Sequence, residues 1–262
     1  MFNQENIAKA KEEFQSKRYA VIDNILEPRY INALYKAVPE MPYGVWGCIG
    51  NSHRKYPAGF RENSEKFQSV LDGHIEEGRG EFSYFHYAYW LLEDYHKVHN
   101  DSAVTEFNRV VTEDYSLIKP AYTFHDLVSD VTGFSNMFTN QPTYSYYDHT
   151  AWFNAHHDPR RWCAYIFYFN DTWLTQWGGQ LCILNQDERT IKDSIEPFGN
   201  RLVIMDVSEL TGTRINKHFN RLFCVYTFKI QHLCNKNVGH IIFYNSLHHY
   251  DTIFHQTTVN IV

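Results

Sequence analysis

Trp162-Cys163-Ala164-Tyr165-Ile166-Phe167-Tyr168-Phe169-Asn170 is a short aromatic and apolar run, and Asn170 and Asp171 close it. An apolar run of this length that stops at turn-forming residues predicts a buried strand over 163–169. Segments of the same kind recur on both sides. They cover 134–140, 143–148, 181–185, 201–207, 222–230 and 239–244, and Asn, Asp, Gly or Pro separates several of them. Many short strands with turn signals predict an all-β barrel or sandwich after about Gly133.

The first half reads differently. Residues 5–16 form a helical pattern with Ile7, Ala10 and Phe14 facing inward. Residues 19–26 (YAVIDNIL) read as a strand, and 27–38 as a second helix started near Pro28. The 39–60 stretch carries repeated Pro, Gly and Asn and predicts a long loop. From 63 to about 111 the signal is helical, strongest over 82–99, where Tyr84, Tyr87, Trp90, Leu91 and Tyr95 recur near helical spacing. The last twenty residues alternate weakly, as an edge strand or a cover for the core. The reading is one domain over 1–262. It has an N-terminal helical support with an early strand over 1–132, a β core over 133–230 and a C-terminal extension over 231–262.

Composition bounds the function. A chain of 262 residues with 44% hydrophobic and 21% charged residues excludes disorder, collagen and coiled coil as overall descriptions. The net charge of -6 supplies no basic field, so no nucleic-acid partner is expected. No run approaches the roughly 18 apolar residues of a membrane helix, and the polar start reads as no signal peptide. No membrane association is expected. The five cysteines contain no C-x-x-C pair, which predicts reduced, mostly buried thiols and a cytoplasmic location.

The densest polar cluster is Ala155-His156-His157-Asp158-Pro159-Arg160-Arg161. In extended chain, residues two apart share a side, so His156 and Asp158 present an imidazole and a carboxylate to one centre while His157 points away. Such a pair suits a 2-His-1-carboxylate iron site with open positions. No H-E-x-x-H, P-loop or G-x-S-x-G motif competes with it. His248, His249, Asp251 and His255 read as a solvated tail.

Downstream stand Tyr168-Phe169-Asn170, then Trp173, then Gly178-Gly179-Gln180-Leu181, then Asn200-Arg201-Leu202-Val203, and finally Arg221. With His156-His157-Asp158 ahead of it, this ordered series resembles the prolyl-4-hydroxylase-like branch of the iron(II)- and 2-oxoglutarate-dependent dioxygenases. The resemblance covers about residues 134–230, and the 19–26 strand with its following helix is similar to that family's N-terminal support. It implies a mostly β fold with N-terminal helices, in which a double-stranded β-helix, or jelly roll, packs against a helical layer. It implies Fe(II) and 2-oxoglutarate as cofactors. It also implies hydroxylation of a C–H bond in a peptidyl prolyl residue, an amino acid or a small metabolite, so the expected partner is a small molecule or a peptide.

Residue by residue, the resemblance makes His156 and Asp158 iron ligands and catalytic residues. It makes Arg221 the cation that pairs with the distal carboxylate of 2-oxoglutarate, a role that suits a guanidinium fork. Tyr146 and Tyr168 become cofactor-facing phenols. Asn200-Arg201-Leu202 reads as turn chemistry feeding a buried strand. One position departs from the pattern: Thr213 occupies the place of the distal iron histidine, and a hydroxyl is a poor substitute for imidazole at ferrous iron. Three readings stay open. His218 completes the triad from a rearranged loop, another histidine such as His149 or His157 does so, or the chain is a non-catalytic jelly-roll binding protein that has lost the iron triad.

Overall fold

The computed structural model describes residues 4–77, 84–89, 101–110, 124–134, 138–139, 143–147, 151–153, 161–185, 190–206, 215–216 and 227–235. Helix α1 (Gln4–Lys17) forms because Ile7, Ala10 and Phe14 recur every three or four residues, and all three are buried. It ends where Arg18 takes a positive φ of 66° and its N–H returns to the Phe14 carbonyl. Strand β1 (Tyr19–Asp23) follows at once. Helix α2 (Pro28–Glu40) starts on Pro28, whose fixed φ suits a first helical turn, and buries Ile31, Leu34, Ala37 and Val38. The other helices are α3 (Phe60–Asn63), α4 (Phe67–Glu77), α5 (Ser102–Asn108) and α6 (Phe124–Thr132). Asp101 caps α5, its carboxylate accepting from the backbone N–H of Ala103 at 2.8 Å and of Val104 at 3.0 Å.

The remaining strands are β2 (Gly47–Gly50), β3 (Arg54–Tyr56), β4 (Tyr84–Tyr89), β5 (Phe138–Thr139), β6 (Thr143–Tyr147), β7 (Trp152–Phe153), β8 (Arg161–Tyr168), β9 (Leu181–Leu184), β10 (Ile191–Ile195), β11 (Arg201–Asp206), β12 (Ile215–Asn216) and β13 (Thr227–Asn235). They make a large sheet in the order β1-β11-β8-β13-β6-β4-β2-β3, with β5 beside β13 and β7 beside β4. A small sheet runs β10-β9-β12. Every described pairing is antiparallel.

The central strands are buried on both faces, and their side chains alternate between two cores. Cys163, Tyr165 and Phe167 of β8, with Leu202 and Ile204 of β11, pack among residues of α1, α2, α5 and α6. Ala164, Ile166 and Tyr168 of β8, with Val203 and Met205 of β11, pack against Leu181 and Ile183 of β9 and Ile195 of β10. The architecture is therefore layered: helices, large sheet, small sheet.

Two first-half expectations need correction. The 82–99 stretch is no continuous helix, because Tyr84–Tyr89 is a strand inserted between β2 and β6. Its aromatics fit either period, and two waiting strand edges decide the matter. Within the 39–60 loop, Gly47–Gly50 and Arg54–Tyr56 pair as an antiparallel hairpin. Strands lie near the expected places over 143–147, 161–168, 181–184 and 201–206, whereas the last described strand runs over 227–235 rather than 222–230, and helix α6 and strand β10 stand where the sequence pattern predicts no element. The 239–244 segment and the rest of the C-terminal extension beyond 235 lie outside the described residues.

Candidate active site

Tyr168 ends β8 on the face turned toward the small sheet, fully buried. The antiparallel register sets Arg201 of β11 opposite it on one side and Lys229 of β13 on the other, and Lys229 in turn pairs with Ser145 of β6. Directly opposed residues share a face, so these four positions form one row across the sheet. Burial is the main reason the Tyr168 phenol is pushed well above the ordinary tyrosine range. The Arg201 charge opposes that shift, and the Cys182 thiol adds to it. A phenol held protonated in this way is a hydrogen-bond donor suited to a carboxylate.

Tyr146 stands one residue beyond Ser145, and its register partner is Phe228. It belongs to the helix-side core, where its ring meets Trp46 at 5.6 Å. Tyr146 and Tyr168 therefore occupy opposite faces of the large sheet. Both are buried, but only Tyr168 is on the small-sheet side.

The turn beneath Tyr168 is built by two asparagines and a glycine. Asn200 has a φ of 56°, its N–H donates to the Tyr168 carbonyl at 2.9 Å, and its side chain binds the backbone of Leu26. Asn170 donates through Nδ2 to the Pro197 carbonyl. Gly199 passes so close to these that an added Cβ would lie 2.0 Å from the Asn170 carbonyl oxygen and 2.3 Å from the Tyr35 hydroxyl. The Asn200-Arg201-Leu202 element is thus structural. Arg201 is committed as well, forming an ion pair with Asp23 at 2.6 Å and lying over the Phe198 ring.

Beyond β8 a loop over 171–180 leads into β9. Trp173 is buried and meets Trp177 edge-on at 6.0 Å. Gly178 and Gly179 both have φ of 76°, a left-handed backbone that favours glycine, and they turn the chain into β9. The Trp173 indole N–H is buried with no hydrogen-bond partner among the described residues.

His156, Asp158, Thr213, His218 and Arg221 lie outside the described residues, as do His149 and His157. Strand β7 ends at Phe153, three residues before His156. Among the described residues no group of three or more His, Cys, Asp or Glu is set to hold a metal ion. Sequence reasoning missed Lys229. Its place opposite Tyr168 follows from the pairing of β13 with β8, and no local motif announces it.

Residues 142–222 match the sequence profile of the 2OG-Fe(II) oxygenase superfamily, the iron(II)- and 2-oxoglutarate-dependent oxygenases. The structure is similar to that of a prolyl hydroxylase from Trichoplax adhaerens, solved in complex with a hypoxia inducible factor oxygen degradation domain peptide fragment. The TM-score is 0.53 at 15% identity, over 88% of this chain and 91% of that one. It is also similar to a 2OG-Fe(II) oxygenase family oxidoreductase from Burkholderia pseudomallei, with a TM-score of 0.50 at 8% identity, over 90% of this chain and 93% of that one. At such identities the likeness is one of fold. No curated protein sequence matches the chain. Over residues 142–222 the chain is similar in sequence to the 2OG-Fe(II) oxygenase superfamily, and its fold is similar to that of solved members. The likeness to a prolyl hydroxylase is one of fold.

Proposed function

We propose that the chain is an iron(II)- and 2-oxoglutarate-dependent oxygenase that hydroxylates a C–H bond of a peptidyl prolyl residue, an amino acid or a small metabolite. The observation that carries this reading is Tyr168, a buried and protonated phenol on the inner side of a two-sheet shell, within a segment that matches the superfamily profile. Under this reading the two sheets are a double-stranded β-helix. The domain is 1–262, with 1–132 as support, 133–230 as core and 231–262 as an extension, in a cytoplasmic protein. The residues fit the cosubstrate: a buried donor hydroxyl next to the register position held by Lys229 suits an organic dianion.

His156 and Asp158 would hold the iron, which when bound supplies the oxidation of the C–H bond. The third protein ligand is His218, or the position is vacated at Thr213. Two bases are candidates for the distal carboxylate. Arg221 is favoured by its place in the motif series, and Lys229 by its register opposite Tyr168. Either cation, with the Tyr168 hydroxyl, orients the cosubstrate, while the apolar core of Ile166, Leu181, Ile183 and Val203 keeps water out.

Anaerobic titration with iron(II) and then 2-oxoglutarate, followed by measurement of succinate release in air, tests the function. Iron binding with succinate formation supports it, and absence of iron binding under reducing anaerobic conditions overturns it. Calorimetry with 2-oxoglutarate on Arg221→Leu and Lys229→Met identifies the anchor, because removing the true partner of a buried carboxylate costs about 2–5 kcal/mol. A second reading, a non-catalytic binding protein on the same shell, draws on Thr213 at the place of the distal histidine. Thr213→His distinguishes the two: a rise in iron affinity in that variant over a weak parent supports a vacated position. His218→Ala should change little unless His218 is the ligand.

A further inference from the structure

At the other end of the large sheet a histidine is buried among rings. His74 of α4 is 1% exposed. Its Nε2 lies 3.0 Å from the Tyr56 hydroxyl of β3. Its Nδ1 is buried with no hydrogen-bond partner among the described residues, 3.9 Å from the Glu77 carboxylate. The imidazole is wedged against the backbone of β2, where a Cβ on Gly50 would meet three ring atoms at 2.5–2.9 Å. On its other flank stands Phe85 of β4, ring centres 5.4 Å apart. Phe85 stacks on Trp152 of β7 at 5.7 Å and 22°, and the two residues are also in backbone register. Trp152 lies four residues before His156.

We infer that His74 is a positioning residue for β7: its neutral ring holds Phe85, Phe85 holds Trp152, and protonation of His74 displaces the strand that runs into His156-His157-Asp158. What that strand delivers rests on the oxygenase reading, but the coupling from His74 to Trp152 does not. The charged and titratable groups around the ring explain why protonation acts. An imidazolium must donate from both nitrogens. The Tyr56 hydroxyl accepts from Nε2. The carboxylate facing Nδ1 is Glu77, which already accepts from Arg54 of β3 and, at 3.4 Å, from the Asn51 amide. At 3.9 Å Glu77 is beyond hydrogen-bond reach of Nδ1, so a proton there gains an acceptor only through a shift of the ring or of the carboxylate. Arg54 repels the new charge, Cys48 of β2 lies opposite Tyr56 in register, and from β4 the Phe85 ring packs against the imidazole.

The test uses the full chain without metal, labelled with 5-fluorotryptophan, the Trp152 resonance being assigned by its loss in Trp152→Phe. Imidazole ¹³C resonances report His74 directly. Between about pH 8 and pH 5, the Trp152 resonance should move with the His74 midpoint, and His74→Gln should abolish that movement. A Trp152 resonance that stays fixed while His74 titrates, or that moves equally in His74→Gln, overturns the inference. If His74→Gln does not fold, Gly50→Ala presses on the same ring and should shift the Trp152 resonance at pH 7.5; an unshifted resonance overturns the inference. Should wild-type protein bind no iron while Trp152 still follows His74, the oxygenase reading fails and the coupling stands.

Discussion

The side-chain amide of Asn200 bonds the backbone of Leu26 in both directions: the Leu26 N–H donates to Oδ1 at 2.7 Å, and Nδ2 donates to the Leu26 carbonyl at 2.9 Å. Ile25 adds an N–H bond to the Asn200 carbonyl at 3.2 Å. One residue thereby joins the connection between β1 and α2 to the turn entering β11. Asn200→Ala loses both amide bonds and leaves an alanine at a positive φ. We expect a destabilisation of about 2–3 kcal/mol by urea unfolding. Asn200→Gly, which keeps the backbone conformation, should lose less.

Gly199→Ala places a methyl group where the Asn170 carbonyl and the Tyr35 hydroxyl already sit. The nearer obstacle is backbone, so the turn itself must shift. Overpacking of this kind costs about 1–3 kcal/mol or more, and thermal unfolding should show a clear fall in Tm. An unchanged Tm would mean that the turn yields freely.

Burial, aided by Arg54 and opposed by Glu77, lowers the His74 pKa from its ordinary value. The unfolded chain then binds the proton more readily than the folded one. Stability is lost as pH falls from about 6.5, the unfolded value, toward the lower folded value. Urea midpoints for the wild type and for His74→Gln at pH 7.5 and pH 5.5 measure this. The wild type should lose more stability than the variant over that interval.

Tyr168→Phe removes a fully buried phenol on the small-sheet side while keeping its ring. We expect 2-oxoglutarate binding to weaken roughly 5- to 10-fold, the equivalent of a hydrogen bond of about 1–1.5 kcal/mol. Far-ultraviolet circular dichroism should be unchanged. Equal affinity in the two proteins would separate Tyr168 from the cosubstrate.

Much of the fold was legible because local pattern and tertiary pairing agree. Helix α1 follows from Ile7, Ala10 and Phe14, and β8 from its aromatic run. Strand β4 was not legible, since Tyr84, Tyr87 and the residues after them suit a helical period, and the strand is fixed by partners forty residues before it and sixty after, roughly. In the site, Tyr168 could be picked from its place before Asn170. The face it shares could not. Whether Tyr146 and Tyr168 look the same way depends on how β6 and β8 each register with β13, and neither segment contains that information.

The partnership of β1 with β11, in which Tyr19 meets Met205, has a consequence during protein synthesis. The ribosome releases β1 long before its only described strand neighbour exists. At about 5–20 residues per second, roughly 10–40 s pass between the two. Throughout that interval the buried faces of Ala20 and Ile22 have only nearby helices to cover them. A ribosome-bound fragment that stops short of β11 therefore carries an open strand edge, which makes it a ready client for a chaperone.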